Sequence, residues 1–512
     1  MNRQGSEFRG HGAWGMGHGS RKVLMLVLLG VLLFACFNVD SQEPIIGAGS
    51  PVTDNWLSLH ECVKIAVRNS FEVKKAKLDL YISETDLMYS EAVFDTILYG
   101  GVSYNEDKSQ QLSVFSADDS QTNTYYAGFT KKLPTGTELT TEVGDTRFWN
   151  NTAFVSKNPS HEAQLSLEAK QPIGNNIFGY TDKAAVSLTK LAIKNADLDT
   201  KDRIEAFIAT VEKSYFEFIS AREELEIYRD MLEKTKKLYE TDKKNFDLGL
   251  AEKVDVLASE ARVASVEAEL FIAENDYNRA EADLKLLMNT RGNAEIIPTE
   301  KLFAERDSRD LAEYLKIAFA QRRDYLIAKR DIEIKGLDLK VKDNAKYPKI
   351  DLTLSMEMNG LEGDITKSAG KIVVADNTNY YAGIAFEMPL ENSEARSAYK
   401  KAKYEKIKAL TTLKEIERTI ITEVGNAYGD LEALAVSIEY SKIAVELNKK
   451  KLEEEEKRFV HGRSSTKQII DYQRDLLQAE LEHTQYLLRY NSSKVVLERF
   501  VNNTLKTYED II

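Results

Sequence analysis

The sequence predicts an α+β membrane fold in which long coiled-coil helical hairpins carry a group of transmembrane β-strands. Three observations predict it. The chain contains an internal two-fold repeat, its long segments hold a strict seven-residue apolar period, and between them lie segments of about ten residues that alternate apolar and polar. The composition agrees. Only 8 prolines in 512 residues leave room for very long helices. Hydrophobic residues at 43% and charged residues at 29% are too mixed for a polytopic helical membrane protein.

The N-terminus has the pattern of an export signal. Arg21-Lys22 precedes an unbroken apolar run from Val23 to Ala35. The run is short of the roughly 20 apolar residues that a spanning helix needs. Two processing sites compete. Leu33-Phe34-Ala35-Cys36 resembles a lipobox, which would make Cys36 the lipidated first residue, and cleavage after Val39-Asp40-Ser41 is the alternative. Residues 1–41 are therefore expected as signal and leader, and 42–55 as a flexible lead-in rich in Gly, Pro, Ser and Asp. No second long apolar run follows, so any entry into a membrane must be as β-strands.

The duplication shows first in the short helical segments. Lys64-Ile65-Ala66 matches Lys316-Ile317-Ala318 and Ala76-Lys77 matches Ala328-Lys329 at a constant offset. Thr124-Tyr125-Tyr126-Ala127-Gly128 has a counterpart in Asn379-Tyr380-Tyr381-Ala382-Gly383. The long segments match at a second, smaller offset that pairs Tyr215 with Tyr428, Phe246 with Phe459 and Gly249 with Gly462. The expected organisation is a first repeat over 56–297, with a helix, strands within 96–171 and a long helical hairpin over 178–290. A second repeat over 298–505 has a helix, strands within 349–388 and a hairpin over 392–503, followed by a tail, 506–512.

The helical hairpins follow from the heptads. Ile204, Val211, Phe218, Leu225, Leu232, Tyr239 and Phe246 recur every seven residues, as do Glu417, Val424, Leu431, Ile438, Val445, Leu452 and Phe459. Such a period makes a helix that supercoils left-handedly around its neighbours. The return segments alternate three and four, through Val263, Val266, Leu270, Ala273, Tyr277, Ala280, Leu284 and Leu287 in the first copy. The second copy has Leu476, Ala479, His483, Tyr486, Tyr490, Ser493, Leu497 and Phe500. From about Asp182 to Leu248 there is neither Gly nor Pro, enough for a helix of roughly 100 Å. A helix of that length has no globular core to bury against. It packs along its length on others like it, in a wall that must close.

The strand segments are Thr96–Asn105, Thr124–Leu133, Thr137–Thr146, Glu162–Gln171, Lys349–Met358 and Asn379–Met388. Their length suits tilted transmembrane strands, and Tyr99, Tyr104, Tyr125, Tyr126, Trp149, Tyr380 and Tyr381 supply interfacial aromatics. The connections 106–122, 148–161 and 359–378 are long and polar, while Pro134-Thr135-Gly136 is short. Four to six strands cannot close a barrel alone, and open edges are intolerable in lipid, so the chain is expected to oligomerise.

Other chemistry finds little support. A net charge of −13 argues against nucleic acid as a partner. Cys36 and Cys62 make no disulfide framework, the 6 histidines are scattered, and neither a zinc-spaced cluster nor a Walker motif occurs, so neither cofactor nor enzymatic activity is expected.

The two-fold repeat, the turns Lys244-Asn245-Phe246-Asp247-Leu248-Gly249 and Lys457-Arg458-Phe459-Val460-His461-Gly462, and the joints Gln171-Pro172-Ile173 and Met388-Pro389-Leu390 resemble the TolC-like outer-membrane efflux family. The resemblance spans about residues 56–505. It implies a homotrimer whose helices form a shared periplasmic α-barrel and whose strands form a shared β-barrel in outer-membrane lipid. It also implies a passive conduit working with a periplasmic adaptor and an inner-membrane pump of the RND or ABC type. The family uses four strands per protomer, whereas this chain offers six. The extra hairpin near 124–147 either widens the barrel or lies outside it. The periplasmic tip would fall at Phe246–Leu257 and Phe459–Asp471. Asp255, Asp471, Phe459 and Arg463 are then candidates for a gate or ion ring, and Gly249, Gly462 and Phe246 for helix reversal and adaptor docking. Phe459 stands where a gating tyrosine is common, Ser464 where an arginine is expected and Gln468 where an aspartate is common. Both aspartates also suit the N-terminus of a helix as charges alone. The competing class is a structural coiled-coil protein of the envelope without transport activity.

Overall fold

The computed structural model describes residues 56–508 except 111–115, 153–154, 291–295, 307 and 376. The expected signal and lead-in, including Cys36, and residues 509–512 of the tail lie outside the described residues.

Strand β1 (Trp56–Leu57) leads into α1 (Leu59–Asn69) and α2 (Phe71–Glu91). Ser58 opens α1 through a capping box with Glu61. The single helix expected here is two because Ser70 takes an extended ψ of 132° and its hydroxyl accepts the N–H groups of Glu72 and Val73 at 3.1 and 3.4 Å. Cys62 is fully buried on α1, and burial pushes its thiol up to about 12, so it is inert packing.

Four strands follow, β2 (Thr96–Asp107), β3 (Ser120–Lys132), β4 (Glu138–Asn150) and β5 (Ser160–Pro172). Then come two long helices, α3 (Tyr180–Asp247, 68 residues) and α4 (Lys253–Met288, 36 residues). Strand β6 (Ile297–Pro298) pairs in parallel with β1. Helices α5 (Leu311–Gln321) and α6 (Arg323–Asn344) are again separated at one residue, Arg322, whose guanidinium is held by Asp324 and Glu423. Strand β7 (Lys349–Glu362) precedes α7 (Ile365–Val374) and β8 (Thr378–Glu387). The chain ends in α8 (Ser393–Val460, 68 residues), α9 (Thr466–Phe500) and the short α10 (Thr504–Thr507). Among the described residues no helix is long and apolar enough to cross a membrane.

Strands β2, β3, β4, β5, β7 and β8 form one antiparallel sheet in that order. Each of β2 to β5, and β7, is longer than the segment its alternation marks, because pairing continues past the apolar positions into polar ones. The connection expected as loop 359–378 instead holds α7, which Asp364 caps by accepting the N–H of Thr366 at 2.9 Å. Gly360 permits it. A Cβ there would lie 2.1 Å from the carbonyl oxygen of Ser368, so helix backbone rests directly on β7.

The register separates two faces. One carries Leu98, Ala127, Val143, Leu165, Met358 and Tyr380, all at facing or successive even-numbered steps of the ladder. The other carries Thr124, Thr146, Glu162, Glu168, Glu357 and Asn379. The three long connections, α7 included, all leave one end of the sheet, while the short turn after β3 and the joints to α2, α3, α6 and α8 lie at the opposite end.

The long helices lie side by side in the order α4, α3, α9, α8, with α2 beside α3 and α6 between α3 and α8 at the sheet end. The heptad positions Ile204, Val211, Phe218 and Leu225 are buried, as are Val424, Leu431, Ile438 and Leu452. The polar member of the second series, Glu417, accepts a hydrogen bond from the Tyr325 hydroxyl at 3.3 Å. Farther along α3 the buried line steps sideways through Met231, Thr235, Leu238 and Asp242, where α9 packs into the α3–α4 groove. A charged network fastens the two halves. Glu205 of α3 is fully buried, ion-paired with Arg323 of α6, and accepts from Asn502 Nδ2 at 2.9 Å and Thr504 N at 2.7 Å. Arg499 forks onto Asp202 at 2.9 and 2.7 Å.

Candidate functional site

The two helix reversals are built alike. Gly249 has φ +73° and Gly462 φ +68°, left-handed values that suit glycine, and a Cβ at either would meet nothing within 4 Å. The constraint is therefore backbone conformation and not space. The Gly249 N–H donates to Phe246 O and the Leu250 N–H to Asn245 O, both at 2.8 Å. The Gly462 N–H donates to Phe459 O at 2.9 Å and the Arg463 N–H to Arg458 O at 2.8 Å. These bonds satisfy the last helical carbonyls.

Each candidate residue has a definite local setting. Asp255 is the third residue of α4 and accepts from the Glu252 N–H at 3.2 Å, which closes a capping box. Asp471 lies in the second turn of α9 and is paired with Arg474 at 2.9 Å. Phe459 packs against the cluster of Leu238, Leu452, Ile469 and Leu476. Arg463 is exposed, and its carbonyl accepts from Arg458 Nη2 at 3.4 Å. Phe246 is 43% exposed and stands with the exposed Leu248, Leu250 and Val460 around the two turns.

One contact at the turns escaped the sequence reading. Asp242 of α3 is buried and accepts from the Thr466 hydroxyl of α9 at 2.8 Å, tying one hairpin to the other. Burial holds its carboxyl above the usual range, and the hydrogen bonds from Thr466 and Ser259 oppose that shift. The available signal was a carboxylate three residues beyond Tyr239, on the apolar seam itself.

The outer helices of the layer each present a second seam. On α4, Val254, Leu257, Ala261, Ala264, Ala268 and Phe271 alternate three and four, and all are exposed. On α8, Val436, Tyr440, Ile443 and Leu447 do the same, at 42%, 69%, 47% and 60% exposure. The sheet is open in its own way, since its edge strands β2 and β8 are each paired on one side only. Both layers are open arrays, the helices edged by exposed apolar seams and the sheet by unpaired strand edges. Among the described residues no group of His, Cys, Asp and Glu is arranged to hold a metal ion.

Comparison with known proteins gives the chain a family. The family model described as outer membrane efflux protein matches residues 136–290 and 316–503. Outer membrane protein TolC of Vibrio cholerae is 22% identical over 335 residues, 64% of this chain and 76% of that protein. The outer membrane protein VceC of Vibrio cholerae shares the fold with a TM-score of 0.64 at 16% identity, over 86% of this chain and 95% of VceC. The open-state MtrE outer membrane channel of Neisseria gonorrhoeae also scores 0.64, at 15% identity, over 91% of this chain and 96% of MtrE. This chain is an outer-membrane protein and not an enzyme, and it belongs to the outer membrane efflux protein family.

Proposed function

We propose that the chain is one subunit of a homotrimeric exit duct, a passive conduit in a tripartite efflux or type I secretion system. The observation that carries this reading is the pair of exposed three-four seams on the outer helices α4 and α8. A helix with seams on two sides packs between two neighbours, and an array whose two ends are both adhesive closes into a ring. The exposed β2 and β8 edges ask for the same closure in lipid. In this reading the apolar face of the sheet meets outer-membrane lipid, the helices stand in the periplasm as an α-barrel, and the two repeats line it.

The Gly249 and Gly462 turns form the periplasmic tip. A periplasmic adaptor docks on the exposed Phe246, Leu248, Leu250 and Val460 beside them. Energy comes from an inner-membrane pump of RND or ABC type. Asp255 and Asp471, in three copies each, ring the opening, while Phe459 and Arg463 supply the packing and charge of the gate.

Fractionation, native mass spectrometry and planar-bilayer recording test the reading. The expected result is an outer-membrane trimer that conducts ions. A structural coiled-coil protein gives no channels, and that outcome would overturn the duct. Gly462→Pro then tests the tip. Proline cannot take φ +68° and removes the N–H that bonds Phe459 O. The variant is expected to reach the outer membrane as a trimer yet lose export in cells. Unchanged tolerance to the pump's substrates would sink the docking claim.

A further inference from the structure

We propose that the outer-membrane part of this duct is an eighteen-stranded barrel, closed by pairing of β2 in one copy with β8 in the next. The proposal rests on the trimeric duct described above and adds the width of its pore.

The hairpin β3–β4 decides the matter, because the family's four strands per protomer would leave it out. It is bonded on both sides within the sheet. β3 pairs with β2 along Thr96–Asp107, and β4 pairs with β5 along Glu138–Phe148. Removing it from the wall would break both ladders. Its faces also match the wall's. Ala127 and Val143 are paired on the face of Leu98, Leu165 and Met358, whereas Thr124 and Thr146 are paired on the face of Glu162 and Glu357. Nearer the loops the apolar face also carries Asp145 and Arg147, and there Asp145 is paired with His161 of β5 at 2.9 Å. Toward its turn the hairpin keeps one apolar and one polar face in phase with its neighbours, which a hairpin lying in water outside the barrel has no reason to do.

The lower end of the hairpin is fixed as well. Its turn sits on the joint between β5 and α3, where Gly136 (φ +78°) and Gly179 (φ +68°) bring backbone against backbone. A Cβ on Gly136 would lie 2.7 Å from Gly179 N, and one on Gly179 would lie 2.5 Å from Pro134 O. Gln171 Nε2 donates to Thr135 O at 3.2 Å, and Lys132 at the end of β3 pairs with Asp182 in the first turn of α3 at 2.8 Å. The hairpin thus stands over the helical layer as the other strands do.

Closure follows from parity. Six alternating strands run up and down, so the last strand of one copy is antiparallel to the first of the next. Three copies of six strands make eighteen. Barrel diameter grows roughly in proportion to strand number, so this pore is about one and a half times as wide as a twelve-stranded one. A barrel of this size leaves an open aqueous lumen, and the restriction on what passes falls to the helical tip.

Electron cryo-microscopy of the full chain in detergent tests this directly. The expected particle is a trimer with eighteen strands and residues 120–150 in the wall. A trimer with twelve strands and the hairpin outside the wall overturns the inference and leaves the duct reading intact. Any other copy number overturns both. Cysteine labelling in outer-membrane vesicles gives a second readout. Ala127→Cys and Val143→Cys are expected to resist a membrane-impermeant maleimide, while Thr124→Cys and Thr140→Cys react at least tenfold faster. Equal reactivity on the two faces overturns the proposal.

Discussion

Glu212 shows how burial turns one residue into a property of the whole chain. It lies on α3 against the C-terminal segment, where the Tyr508 hydroxyl donates to its Oε1 at 2.7 Å. Burial pushes its carboxyl from 4.5 up to about 7, and the hydrogen bond from Tyr508 only partly opposes that, with Glu498 and Glu205 adding to the rise. The sign follows from linkage. The folded chain holds this proton more tightly than the unfolded one, so Glu212 favours folding most below pH 4.5. That contribution falls as pH rises towards about 7 and is constant above it. The shift corresponds to about 3 kcal/mol. Glu212→Gln keeps the shape and removes the titration. Its thermal unfolding midpoint is expected to fall less between pH 5 and pH 8 than that of the parent chain, and equal slopes would show that Glu212 is not the group responsible. No periodicity announces such a site. Glu212 directly follows the heptad position Val211, and the partner that meets it where it is buried, Tyr508, comes from the far end of the chain.

At the level of elements, the long helices were legible because one physical requirement governs each position. A helix of 68 residues must bury a continuous stripe, and the stripe is written at every seventh residue. The breaks at Ser70 and Arg322 were not legible, since each rests on local hydrogen bonds within a segment that is otherwise helical in pattern. Helix α7 was hidden for a different reason. Its place depends on Gly360 in another element, and glycine in a polar stretch signals a loop equally well. The sideways step of the buried line at Met231 was hidden because it depends on α9 entering the groove. The second seams on α4 and α8 carry a prediction of their own. Tyr440 is 69% exposed in a single chain, so a charge there costs the isolated fold little. In a closed ring the same charge would lie between helices, unpaired. Tyr440→Glu is therefore expected to leave far-ultraviolet circular dichroism unchanged while native mass spectrometry shows loss of the trimer. A trimer as robust as the parent's would mean that this seam is not the contact between copies.

The sheet and the helical layer share one organisation, an open array with two unsatisfied edges, and closing it, as the proposed duct requires, would give the molecule an inside with its own chemistry. The face opposite the apolar band carries Glu142, Glu162, Glu168, Glu357 and Asp351. Lys170 stands among them and is engaged with Asp351 at 3.3 Å. The balance on that wall is negative, as is the net charge of −13 for the whole chain. Carboxylates around a water-filled lumen raise the local concentration of cations and repel anions, and salt screens the effect over a Debye length of about 10 Å at 0.1 M. The trimer in a planar bilayer under a potassium chloride gradient is expected to show a reversal potential of cation-selective sign at low salt, shrinking as salt rises. Glu142→Gln with Glu168→Gln is expected to reduce it without changing the trimer, since neither carboxylate is part of the apolar band or of the edges that join copies. Anion preference in the parent channel would place the acidic face away from the conducting path. It would thereby reverse the assignment of inside and outside on which the proposed duct is built.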